Sequence, residues 1–61
     1  MKFYVIDPVE TGSLHNSEGY KAFVKSPWAG QGYGRKHEAN EVRKFLEKKF
    51  NIKFIISIEE L

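Results

Sequence analysis

The 61-residue chain contains no cysteine. That removes disulfide bridges, a thiol nucleophile and thiolate metal sites together. Small secreted domains usually carry disulfide staples, so the absence points to a reducing, cytoplasmic setting. Long apolar runs are missing as well, with none exceeding four residues. A membrane helix needs about 20 such residues and a signal peptide a shorter apolar core, so neither is expected. There is no repeat, no low-complexity tract and no linker to divide the chain, which reads as one domain over 1–61. Neither sign of charge dominates: ten basic against eight acidic residues give +2 and a pI near 9.0. Such a balance permits a nucleic-acid partner without demanding one.

What is present suffices for a modest core, since 41% of residues are hydrophobic. Residues 2–6, "KFYVI", are β-branched and aromatic and stop at Asp7-Pro8, which reads as a first strand. Residues 8–19 are polar turn formers and read as a long loop. "YKAFVK" at 20–25 alternates with period two and reads as a second strand closed by Pro27. From His37 to Phe50 the apolar positions Ala39, Val42, Phe45, Leu46 and Phe50 recur at steps of three and four, one stripe of a helix. Glu38 and Glu41 suit its start, Lys48 and Lys49 its end, and Asn51 a left-handed stop. "IKFIISI" at 52–58 gives a third strand.

The expected fold is therefore α+β: a small β-β-α-β domain. Its three-stranded antiparallel sheet has order 2-1-3, and one helix packs on one face. One helix covers one face, so the other meets water or a partner. Alternation assigns Phe3, Val5, Tyr20, Ala22, Val24, Ile52, Phe54, Ile56 and Ile58 to the core. The open face then carries Tyr4, Ile6, Phe23 and Ile55 among Lys2, Lys21, Lys25 and Lys53. Large apolar groups on an open face mark a contact surface, unless the 8–19 loop folds over it through Val9 and Leu14.

The stretch "SPWAGQGYGRKHEANEV" at 26–42 is the other candidate. Gly30, Gly32 and Gly34 do not complete a phosphate loop, because no Lys-Ser/Thr follows, nor a dinucleotide fingerprint. A generic anion site at the helix start, beside Arg35 and Lys36, competes with a purely conformational use of glycine. His37 and Glu41 stand one helical turn apart, but no third ligand accompanies them, and no metal or cofactor is expected. Ser13, His15 and Ser17 carry no nucleophile motif, and so small a chain has little volume for a substrate pocket, so no catalytic residue is assigned. Trp28 either plugs the core or joins Tyr33 and Arg35 in an exposed aromatic–cation loop, residue types enriched at binding hot spots.

Gly19-Tyr20, Pro27, Gly30 and Ala39-Asn40, followed by a helix, resemble the layout of the HicB-type antitoxin core. The acidic helix start and Pro-Gly turn of that family are absent, and no site carries over. Size and layout also resemble small phage-encoded proteins that dock on a host enzyme and inhibit it. The first expectation is thus a non-enzymatic, protein-binding adaptor or inhibitor using the open sheet face and the 26–36 loop. Its site is Tyr4, Lys21, Phe23, Lys25, Trp28, Tyr33, Arg35 and Lys36. The alternative is a single-stranded nucleic-acid-binding module in which the aromatics stack on bases and the cations hold phosphates. Homodimerisation by strand pairing is a third mode.

Overall fold

A computed structural model describes residues 1–60. Its longest pairing joins β1 (Lys2–Pro8) antiparallel to β3 (Phe54–Glu60), from Lys2 opposite Glu60 to Pro8 opposite Phe54. Pro8 is tolerated because its nitrogen lies on the side of β1 away from β3, past the point where any strand pairs with it. A short β2 (Gly32–Tyr33) flanks β1 on that side, with Tyr4 opposite Tyr33 and Val5 opposite Gly32. The sheet is therefore antiparallel in the expected order 2-1-3.

The second strand is not where the sequence placed it. Residues 20–25 do not form a strand: Glu18–Val24 is a helix, α1, and β2 lies later in the chain. Ser17 is the N-cap, its hydroxyl accepting the Tyr20 N–H at 3.4 Å, and Glu18 sits in the first turn where the helix dipole favours it. Two helices, not one, accompany the sheet. The resemblance to the antitoxin core weakens accordingly, since Gly19-Tyr20 opens a helix instead of a strand.

Helix α2 (Lys36–Phe50) follows the expected stripe, and Asn51 ends it in the left-handed region at φ 56, donating its N–H to the Glu47 carbonyl. Ala39 and Leu46 are fully enclosed, while Phe45 is 51% exposed. The core joins Ile6, Phe23, Ala39, Leu46 and Phe54, with Tyr4, Tyr33, Val42, Phe50 and Ile56 packed around them. An aromatic chain threads it: Phe54 to Phe23 at 4.9 Å, Phe23 to Phe50 at 5.7 Å, Phe50 to Trp28 at 6.1 Å and Trp28 to Phe45 at 5.6 Å.

This core corrects the facing of β1. Tyr4 and Ile6 turn toward α2, so Phe3 and Val5 turn away, the reverse of the expected parity. In β3 the parity is as expected for Phe54 and Ile56, whereas Ile58 shares that face but runs past the helix and is 62% exposed. Phe23 is not on an open face at all: at 3% exposure it is central to the core.

Candidate protein-binding surface

Helix α2 covers one face of the sheet, and α1 packs on α2 and on a 3-10 turn at Leu14–Asn16. Among the described residues no helix lies on the other face. Cross-strand register sets its composition in rows: Phe3 beside Glu59, Val5 beside Ser57 and Gly32, Asp7 beside Ile55. Gly32 faces this side too, because a Cβ built there would point into the Phe3 ring at 2.9 Å. Glycine thus lets the Phe3 ring lie over the β2 backbone. Ile55 remains 50% exposed. The outer face is an apolar strip of Phe3, Val5 and Ile55 with a carboxylate at each end.

The 8–19 loop does not lie over this strip. It turns along the end of the sheet, where Leu14 is buried beneath α1 and the Val9 N–H donates to the Lys53 carbonyl at 2.9 Å. A hollow of about 240 Å³ remains there, lined by Val9, Thr11, Leu14, Ser17, Ile52 and Lys53. It is below the ordinary range for small-molecule sites, about 300–1,000 Å³.

The residues singled out from sequence do not gather on the outer face. Tyr4 and Tyr33 are cross-strand partners on the covered side, half-buried against the core. Partial burial, with the Glu38 carboxylate adding to it, holds the Tyr33 hydroxyl above the ordinary phenol value. Phe23 is interior. Trp28 is half-buried, its indole between Phe45 and Phe50, and the Lys49 ammonium stands 5.5 Å from the ring. Lys21 and Lys25 are exposed on and just after α1, with Lys21 3.9 Å from Glu18. Arg35 is the N-cap of α2 without a side-chain cap bond, and Lys36 begins the helix. The cations therefore sit on the helical side and are not interleaved with the aromatics Tyr4, Phe23 and Tyr33. His37 and Glu41 are exposed, and no cluster of three or more His, Asp or Glu suited to a metal exists among the described residues.

Phe3 and Val5 are the surface residues that sequence reasoning assigned to the core. "FYVI" is apolar at every position, so period alone could not orient it. The usable signal was in the partner strand, where Ser57 and Glu59 share one face with Ile55.

A second patch lies on α2, where Phe45 and Trp28 are flanked by Lys44, Lys48 and Lys49 together with Glu41 and Glu47. No described helix is long and apolar enough to cross a membrane. Comparison with family models, with curated proteins and with solved structures finds no match.

Proposed function

We propose that this chain is a small non-enzymatic regulator, an adaptor or inhibitor, that docks on another protein through the outer sheet face. The observation that supports the reading is an uncovered face with Phe3, Val5 and Ile55 at its centre and Asp7 and Glu59 at its ends. An apolar centre with a charged rim is the anatomy of a protein interface. The rim is of mixed sign, since Lys53 lies on the same side as Asp7 and Glu59, and fits a partner whose own apolar patch is bordered by charges of both signs. Strand β2 forms the neighbouring edge, so the 26–36 segment contributes through Gly32 under Phe3 and not through Trp28.

The nucleic-acid reading is left with a reduced stacking platform, because Tyr4, Phe23 and Tyr33 face or form the core and only half-buried Trp28, beside exposed Phe45, stands next to cations. One titration separates the two. Fluorescence anisotropy of mixed-sequence single-stranded RNA and DNA is expected to show no binding even at low salt. Affinity that falls steeply with salt and disappears in an Arg35→Glu/Lys36→Glu chain would replace the protein reading with the nucleic-acid one. On the protein side, a partner held by the native chain is expected to be lost by Ile55→Asp and kept by Lys44→Asp. Equal retention by both variants refutes the outer-face site.

A further inference from the structure

The free edge of β3 supports an inference that does not rest on the outer-face reading. Among the described residues strand β3 has β1 as its only sheet neighbour, and it presents its other side along seven residues. Which backbone groups point outward follows from one bond. One step beyond Pro8 opposite Phe54, the Val9 N–H donates to the Lys53 carbonyl. In an antiparallel ladder, directly bonded pairs alternate with non-bonded ones. Lys53, Ile55, Ser57 and Glu59 therefore aim their backbone groups at β1, and Phe54, Ile56 and Ile58 aim theirs outward. The Phe54 N–H confirms the phase: it donates to Glu47 Oε2 at 3.0 Å, on the side away from β1. Glu47, held by Arg43 at 3.0 Å, closes that end of the edge and leaves Ile56 and Ile58 open.

An outward edge of this kind is a template for another strand, and its charges select the occupant. We infer that the β3 edge pairs antiparallel with β3 of a second copy of this chain, about a two-fold axis at Ile56. In that register Ile56 meets its own copy and exchanges both backbone bonds with it. The Ile58 N–H reaches the Phe54 carbonyl of the other copy, leaving the Phe54 N–H with Glu47. Phe54 packs opposite Ile58 on the helix side, which covers the exposed Ile58 side chain. On the outer side Lys53 stands opposite Glu59, twice by symmetry. Moving the axis to Ser57 sets Glu59 against Ile55, and moving it to Ile58 sets Glu60 against Ile56. Only the Ile56 register joins opposite charges.

Amide hydrogen exchange read by NMR, together with sedimentation, tests this on the full chain. A strand-width interface is small, so concentrations up to about 1 mM are required. With rising concentration the mass is expected to approach twice 7.1 kDa. The Ile56 and Ile58 amides become protected in step, whereas Ile55 and Ser57 are protected throughout. Ile58→Pro removes an outward N–H without touching the β1 ladder and is expected to weaken dimerisation at least about tenfold. Lys53→Glu and Glu59→Lys each weaken it, and the double exchange restores it, a readout that survives even if the proline variant unfolds. A monomer across the whole range overturns the inference. So does a dimer whose Ile56 and Ile58 amides exchange freely, or one indifferent to the charge exchange.

Discussion

The two faces of the sheet are built from the same residue types and do opposite work. The covered face holds Ile6, Phe54 and Ile56 against Ala39, Val42 and Leu46 of α2. The outer face holds Phe3, Val5 and Ile55, equally apolar, with nothing packed on them from a helix. Apolar character alone therefore does not separate core from uncovered surface in so small a domain. What separates them is a helix: α2 packs on the covered face, and α1 crosses the end of α2 so closely that Gly19 has no room for a methyl group.

The substitution expected to break this contrast most severely is Gly19→Ala. A Cβ on Gly19 would collide with the Phe50 carbonyl oxygen and stand 3.0 Å from Ile52 Cγ2, where α1 crosses the end of α2. Backbone cannot yield as a flexible side chain does, so the helices must separate. Overpacking costs about 1–3 kcal/mol where side chains can shift and more where, as here, the obstacle is backbone, so the loss rivals all that a domain near the lower size limit possesses. Chemical denaturation is expected to find the variant largely unfolded, and an unchanged midpoint would show that α1 does not need this contact.

Next comes Leu46→Ala, which empties a fully enclosed position and is expected to cost about 2–5 kcal/mol by denaturant titration. The matching change on the other face, Ile55→Ser, is expected to alter stability by less than about 0.5 kcal/mol. A comparable loss from the two would mean that the outer face is as much a core as the inner one.

Between these lies Glu47→Gln. The carboxylate serves two elements at once, accepting from Arg43 within α2 and from the Phe54 N–H at the start of β3. Charge-assisted bonds to a half-exposed group are worth about 1 kcal/mol, and thermal unfolding should register a loss of that order. No change would detach the helix end from the sheet edge energetically.

How much of this was legible beforehand depends on how many residues carried the signal. Helix α2 offers four turns of a single stripe, and its period and Asn51 stop were readable. The sheet order followed from chain connectivity. Residues 20–25 were not readable from period, because Tyr20, Ala22 and Val24 alternate while Tyr20, Phe23 and Val24 also sit at helical spacing. Six residues satisfy both patterns. The deciding mark was Ser17 followed by Glu18, a cap and a first-turn acid. Strand β2 has only two residues, too few for any period, and its pairing with Tyr4 and Val5 is a tertiary fact. The facing of β1 was reversed because "FYVI" is apolar at every position, so an uncovered face was expected but was given the wrong side chains.

The smallest effect separates the faces by pH. Tyr33 lies on the covered side, and partial burial, with Glu38 adding to it, raises the pKa of its hydroxyl above the ordinary phenol value. In the unfolded chain the same group ionises near pH 10. The folded state therefore holds the Tyr33 proton to higher pH than the unfolded state does. Where the unfolded chain binds fewer protons, stability falls as pH rises. Its contribution is complete below about pH 10 and is lost as pH climbs through the raised folded value. The comparison is made between two chains, so that every other change with pH cancels. Tyr33→Phe has no hydroxyl to ionise, and its stability should decline less between pH 9 and pH 11 than that of the native chain. Parallel declines would mean that the β2 end of the covered face is open enough for the phenolate to be solvated as fully as in the unfolded chain. In that case the difference between the two faces would not extend to their β2 edge.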